Sequence, residues 1–227
     1  MRLDQLGISE YDAYGIMWHG NHIKWMKRAV VHGRPTNLAL LHIRYYVPLS
    51  WGGATPHVQV VVMDATTVLV LLCVEELCCT AAIMERSGDY PERWERLDEL
   101  PADRGRQLTR QRKQLENLSS ARVLDGLTVP APSFDTIFRS FGRLDERTML
   151  DMCDQSRTRL VGGLAAVQEL NERGEAFLVA QIDHLTIAAR ETAGAEIVCR
   201  TSVTHQNWTV FFCRHALSVV GGNVVGT

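Results

Sequence analysis

"YDAYGIMWHGNHIKWMKRAV", residues 11–30, joins a turn that contains an acid to the start of a helix. Asp12 lies three residues before Gly15, and apolar side chains recur with helical spacing after Asn21. Backbone N–H groups in the first turn of a helix have no partner within that helix. The stretch therefore predicts an amphipathic helix whose first turn directly follows the loop of Asp12.

Strand-like segments follow this predicted helix. They are rich in Val, Leu, Ile and Thr and are separated by short turns, as hairpin-connected strands are. Four such segments occur before residue 87: "LALLHIRYYVPLS", "HVQVVVMDA", "TVLVLLCVEEL" and "CCTAAIMER". The first half is therefore predicted to be one long helix against an antiparallel sheet.

The second half repeats this order of elements. Asp145 is placed to cap a long apolar helix, "ERTMLDMCDQSRTRLVGGLAAVQEL". Strand-like segments follow it: "EAFLVAQIDHLTIAA", "ETAGAEIVCRTSV" and "NWTVFFCRHALSVVG". We predict an α+β fold of two fused modules, residues 1–86 and 134–227. Residues 87–133, charged and with four prolines, are predicted to be a surface linker, or a lid over a pocket as the functional alternative.

Composition limits the classes of function. The chain has 227 residues, 46% of them hydrophobic and 22% charged, with a net charge of −2. Such a balance is typical of a globular protein and gives no basic field for nucleic acid or anionic membranes. "MRLDQLGISE" has no basic region followed by an apolar core, and the longest apolar runs are far shorter than a bilayer span. We expect a cytoplasmic protein with no membrane or nucleic-acid partner.

The six cysteines show no zinc-binding or disulfide spacing, so we expect buried free thiols. His19 and His22 are three residues apart, but no carboxylate lies near them at a recognisable ligand spacing. The sequence therefore predicts no metal ion and no redox cofactor.

The residues around Asp12 resemble the signature of the 4-hydroxybenzoyl-CoA thioesterase family. That signature has an Asp, two intervening residues, a Gly, an aromatic or His pair, and an Asn entering a helix. The matching residues here are Asp12, Gly15, Trp18, His19, Asn21 and Trp25. "YYVPLSWGGA" similarly resembles the family's strand that ends in Pro and a Gly-containing turn. The resemblance covers about residues 8–85 and implies a hotdog fold; since the second half shares only the element order, it implies a diverged second hotdog module.

A thioester carbonyl develops negative charge on its oxygen when it is attacked. The N–H groups of His19 and Gly20, at the positive end of the helix dipole, can stabilise that charge. Gly20 also permits a close approach of the substrate. The resemblance implies that Asp12 is the nucleophile or the base that activates water. Asn21 either holds the loop, orients water or caps the helix.

The predicted activity is hydrolysis of an acyl thioester of coenzyme A or of an acyl carrier protein. Gly15, Trp18 and Trp25 are the predicted substrate-binding residues, with the two tryptophans as core or pocket wall. In hotdog dimers the site lies between modules, which implies a contribution from Gln181–Leu185 or from "SFGRLD". "RQRK" in the linker is a candidate rim for phosphates or an acidic carrier. A homodimer of the fused chain is also predicted.

Two alternatives stay open. "LDMCDQ" resembles the Asp-x-x-x-Gln pattern of polyketide-type dehydratases, with Asp151 and Gln155 in place and His19 as the partner. The first half lacks the His-x-x-x-Gly-x-x-x-x-Pro pattern of those domains. The second alternative is a hotdog protein that binds an acyl chain without turnover.

Overall fold

The chain divides into two compact units, Met1–Ser120 with Val179–His184, and Ala121–Leu178 with Leu185–Thr227. The structure is a computed structural model. It describes residues 1–3, 6–12, 15–31, 38–86, 89–117, 133–140, 142, 144–175, 178–187, 192–206, 211–222 and 224–227. Within these residues, no helix combines the length and apolar composition needed to span a bilayer.

The first unit is a six-stranded sheet with two long helices. In chain order its elements are α1 (His19–Val31), β1 (Leu38–Tyr45), β2 (Pro56–Val62), β3 (Thr67–Val74), β4 (Leu77–Arg86), β5 (Glu95–Arg96), α2 (Ala102–Asn117) and β7 (Gln181–Leu185). The strand order is β5-β2-β3-β4-β1-β7. Antiparallel pairs join β2 to β3, β3 to β4 and β4 to β1, and the short β5 is parallel to β2. The antiparallel hairpins predicted for the first half are therefore present.

Helix α1 packs against β1, β2 and β3. Its apolar residues Ile23, Met26 and Val30 are at most 2% exposed. Complete burial of such a side chain contributes about 1.5–3 kcal/mol. This apolar stripe fixes α1 on the sheet and so positions its first turn.

Helix α2 lies in the segment 87–133 and also joins the core of the first unit. Leu108 and Leu115, seven residues apart and so on one face of the helix, are 5% and 1% exposed. They belong to a buried cluster with Leu69 of β3 and Ile83 of β4, while α1 also packs on β3. Since β3 is thus covered on both faces, its sequence is a continuous apolar run.

The second unit has its own antiparallel sheet. Its elements are β6 (Ser133–Arg139), α3 (Glu146–Leu160), α4 (Gly163–Glu172), β8 (Glu196–Gln206), β9 (Phe211–Val219) and β10 (Val224–Gly226), with strand order β10-β9-β8-β6. Asp145 caps α3 as predicted, because its side chain accepts a hydrogen bond from the N–H of Thr148 at 2.7 Å.

Two predictions for the second half need correction. The long helix is interrupted, since Gly162 and Gly163 have φ of +106° and +83°, which ends α3 and starts α4. The segment that contains Gln181–Leu185 forms β7 beside β1, in the sheet of the first unit. The N–H of Tyr45 donates to the carbonyl of Ala180 at 3.0 Å next to this pair.

Candidate active site

Asp12 opens a tight turn in front of α1. Its side-chain Oδ1 accepts a hydrogen bond from the N–H of Ile16 at 3.1 Å. Its own N–H donates to the carbonyl of Ile16 at 2.8 Å, and its carbonyl accepts from the N–H of Gly15 at 3.0 Å. Gly15 has φ of +69°, which favours glycine. The carboxylate is thus held at a defined place by its own loop.

The segment after β1 anchors this turn. The N–H of Met17 donates to the carbonyl of Leu49 at 2.7 Å, and the N–H of Trp51 donates to the carbonyl of Gly15 at 2.8 Å. Ile16 also forms a β-bridge with Ser50. The stretch "LSW" therefore holds the loop of Asp12 in place through these backbone hydrogen bonds.

The first turn of α1 is held by Glu10, which precedes the turn of Asp12. The carbonyl of Glu10 accepts from the N–H of Trp18 at 3.1 Å and from Nδ2 of Asn21 at 2.9 Å. The hydroxyl of Tyr45 donates to the carbonyl of His19 at 3.1 Å. In the described part of the chain, the N–H of Gly20 has no acceptor. The first turn of α1 thus offers a donor at the positive end of the helix, and the loop of Asp12 precedes this turn in the chain.

Gly20 makes room for the ring of Trp18. A Cβ placed on Gly20 would collide with the six-membered part of that ring. The sequence assigned the small size of Gly20 to an approaching substrate, whereas in the structure the half-buried Trp18 fills the space. The Trp18 ring lies 5.0 Å from the His19 ring, so both line the start of α1.

Asn21 is the third residue of α1 and is only 1% exposed, so it is not the helix cap. Its bond to Glu10 ties the helix to the segment before the turn, as one of the predicted roles requires. Of the predicted site residues, Asn21 is thus the one whose positioning role the hydrogen bonds define most directly.

Glu10 was not singled out from the sequence. Its buried carboxylate accepts from Lys24 Nζ at 2.6 Å through Oε1 and from Trp25 Nε1 at 3.3 Å through Oε2. The sequence signal was an acid two residues before Asp12 and a Lys-Trp pair one turn into the helix. Trp25, with Lys24 and Arg28 at 4.9 and 5.1 Å from its ring, is therefore part of the frame of the site.

His22 lies on the buried side of α1, against Thr80 of β4. It is 2% exposed, and its Nδ1 lies 2.7 Å from the hydroxyl of Thr80. Burial lowers the pKa of His22 from 6.5 to about 4, and a hydrogen bond to the backbone of Met17 partly opposes this shift. His22 is thus a neutral core residue at physiological pH.

An aromatic pair with one exposed ring borders the turn of Asp12. The ring of Trp51, 54% exposed, meets the ring of Tyr11 edge to face, with 5.2 Å between the centroids. Neither side chain was proposed as a site residue, although Trp51 lies in the quoted "SWGGA" stretch. Aromatic surface of this kind can pack against the apolar part of a substrate.

Of the residues of the dehydratase alternative, Asp151 and Gln155 lie in the second unit and His19 lies in the first. Asp151 and Gln155 are exposed on α3, and Gln155 Nε2 donates to Asp151 Oδ2 at 2.9 Å. In "SFGRLD", the hydroxyl of Ser140 donates to the carbonyl of Gly142 at 3.0 Å, and Asp145 caps α3. In "RQRK", Arg112 pairs with Asp64 and Glu116. All predicted thioesterase residues, by contrast, lie at or near the start of α1.

No protein-family model matches the sequence, and no curated protein matches it. Solved structures do match its fold. A tesB protein from Mycobacterium avium subs. paratuberculosis has a TM-score of 0.52 at 14% identity, over 98% of this chain and 87% of that one. A hot dog fold protein from Alicyclobacillus acidocaldarius has a TM-score of 0.53 at 12% identity, over 98% and 88%. The chain adopts the hotdog fold.

The α+β hotdog class predicted from the sequence is therefore confirmed. The 12:0-ACP thioesterase from Umbellularia californica also shares this hotdog fold, with a TM-score of 0.52 at 10% identity over 100% of this chain and 91% of that one. At these identities the likeness is one of fold.

Proposed function

We propose that the protein is an acyl thioesterase. The observation that carries this proposal is the turn of Asp12, which its own hydrogen bonds hold directly before the first turn of α1. An acid and an unpaired N–H at a helix start are the two groups that hydrolysis of a thioester needs. The name of the Umbellularia californica protein, a 12:0-ACP thioesterase with the same fold, supports this choice of substrate class.

In the proposed reaction, water adds to the thioester carbonyl and the C–S bond breaks, with the thiol leaving as its protonated form. The N–H of Gly20, with that of His19, stabilises the oxyanion. Asp12 either takes the proton of the attacking water or attacks the carbonyl itself, in which case water cleaves the resulting anhydride. Trp18 and the exposed Trp51 are proposed to border the acyl group.

Release of free thiol tests the proposal. Wild-type protein is assayed with short, long and aromatic acyl thioesters, each on coenzyme A and on a carrier protein. Asp12→Asn keeps an oxygen that can accept from Ile16 but removes the charge, so we expect kcat to fall by about 10²–10⁴-fold. The matched control is Asp64→Asn, because Asp64 accepts from the N–H groups of Thr66 and Thr67 in a turn of the same unit.

Full activity of Asp12→Asn would remove Asp12 from the mechanism, and no thiol release from any thioester would end the hydrolase proposal. Dehydration of a 3-hydroxyacyl thioester that Asp151→Asn abolishes would indicate the dehydratase instead. Tight calorimetric binding of acyl-CoA without release would indicate an acyl-binding protein. A tandem of two hotdog modules, a homodimer and a cytoplasmic location remain part of the proposal.

A further inference from the structure

Three side chains that ligate soft metals meet inside the second unit. Cys153 on α3, Cys199 on β8 and His215 on β9 place one ligand atom each within 4.8 Å of the other two. They are separated by 46 and 16 positions in the chain, so no short sequence motif indicates a metal site. All are distant in sequence from Asp12, and the proposed thioesterase does not use them.

The thiols are unoxidised and enclosed. Cys153 is 5% exposed and Cys199 is fully buried, and both are free. His215 is half-buried, so it is the most accessible of the three residues.

The separations fit a tetrahedral ion. Zinc binds thiolate at about 2.3 Å and imidazole at about 2.0–2.1 Å, which puts two ligand atoms of a tetrahedron about 3.5–3.8 Å apart. Cys199 Sγ and His215 Nδ1 are 3.9 Å apart. A movement of a few tenths of an ångström would bring both into coordination range.

Polar groups around the cluster are incompletely paired. Nε2 of His215 has no hydrogen-bond partner among the residues that the structure describes. Thr201, which is fully buried, has its hydroxyl 2.9 Å from His215 Nδ1 and 3.8 Å from Cys199 Sγ. An ion bound at Nδ1 would replace this hydrogen bond, and the Thr201 hydroxyl can then donate to Cys199 Sγ.

We propose that Cys153, Cys199 and His215 bind one Zn²⁺ ion, which links α3 to the sheet of the second unit. Two thiolates, a neutral imidazole and Zn²⁺ sum to zero charge, which suits a buried position. The two thiol protons leave to solvent on binding. Three protein ligands leave the fourth tetrahedral position for water.

Cobalt(II) titration of the full-length, chelator-treated protein under reducing conditions tests the site. We expect one Co²⁺ per chain, with the visible bands of tetrahedral geometry and a near-ultraviolet thiolate-to-metal band, and displacement by Zn²⁺. The absence of these bands in wild-type protein would overturn the proposal, whatever the variants do.

Variants locate the ion. Cys199→Ser and His215→Gln should each weaken binding at least 100-fold, whereas the matched control Cys73→Ser, at a buried thiol of β3, should bind as wild type does. Retention of wild-type affinity by both site variants would overturn the assignment. Circular dichroism shows whether each variant is folded. If Cys199→Ser does not fold, the affinity of His215→Gln, a substitution at a half-buried position, decides the assignment. Thiol release from acyl thioesters is a separate readout, so either proposal can fail without the other.

Discussion

Helices α1 and α3 occupy similar positions in the order of their units but begin differently. Helix α3 has an Asp145 cap that accepts from the N–H of Thr148 at 2.7 Å. Helix α1 is held instead by the backbone carbonyl of Glu10 and the side chain of Asn21. The comparison shows that the residues that start a helix need not be the residues that place an acid before it. A single side chain suffices to start the helix, while the turn of Asp12 places the acid.

The two units also differ in how a histidine at the buried side of the helix is hydrogen-bonded. On α1, His22 has Thr80 and the backbone of Met17 as partners. Below α3, Nε2 of His215 has no partner among the described residues, and two thiols lie beside the ring. A histidine that is fully satisfied by its neighbours is a core residue, whereas one whose ring lies beside two thiols is a ligand candidate.

The largest stability effect is expected from the pH dependence of His22. Its pKa is about 4 when folded and 6.5 in its ordinary state, so between these values the unfolded chain binds a proton that the folded chain does not. Stability is therefore complete above about pH 6.5 and falls by about 3 kcal/mol by pH 4.

Urea unfolding at pH 7 and at pH 4 measures this loss for wild type and for His22→Gln, which keeps a hydrogen-bonding group toward Thr80. The wild type should lose more than the variant over this interval. An equal loss in both proteins would show that His22 is not held neutral in the folded state.

A smaller effect is expected at Gly20. In Gly20→Ala the new Cβ collides with the Trp18 ring, and overpacking of this kind costs about 1–3 kcal/mol. The control is Gly142→Ala, since a Cβ there meets nothing within 4 Å. The free energy of unfolding, from urea denaturation, should fall for the first variant only. Trp18→Leu should then reduce the cost of Gly20→Ala, and the same cost in both backgrounds would contradict the packing explanation.

Local patterns predicted the elements that depend on local chemistry. The helical period after Asn21, the strands of alternating or continuous apolar residues and the Asp145 cap were all readable. The helix break at Gly162 was missed because the apolar pattern continues through it into α4, although a Gly-Gly pair is a turn signal.

Features that depend on contacts between residues distant in sequence could not be predicted. The position of β7 beside β1 depends on which strand edge is open, and the sequence of β7 does not encode its partner. Helix α2 buries only a narrow apolar stripe, Leu108 and Leu115, within a charged segment that otherwise has the composition of a linker. The carboxylate of Glu10 gains its partners only when α1 is in place. In each case the deciding contact joins residues that are distant in sequence or hidden by charged neighbours.

The smallest effect on stability is predicted for substitutions of Asp145, and they test whether the start of α3 only caps its helix. Asp145→Ala removes the acceptor of the Thr148 N–H and should cost about 1 kcal/mol of unfolding free energy, whereas Asp145→Asn should cost less because Asn also caps helices. Urea denaturation measures both variants, and the thiol-release assay is run beside it. If α3 only supports its unit, both variants should release thiol at the wild-type rate. A folded Asp145→Ala protein without activity would instead show that the start of α3 takes part in the reaction.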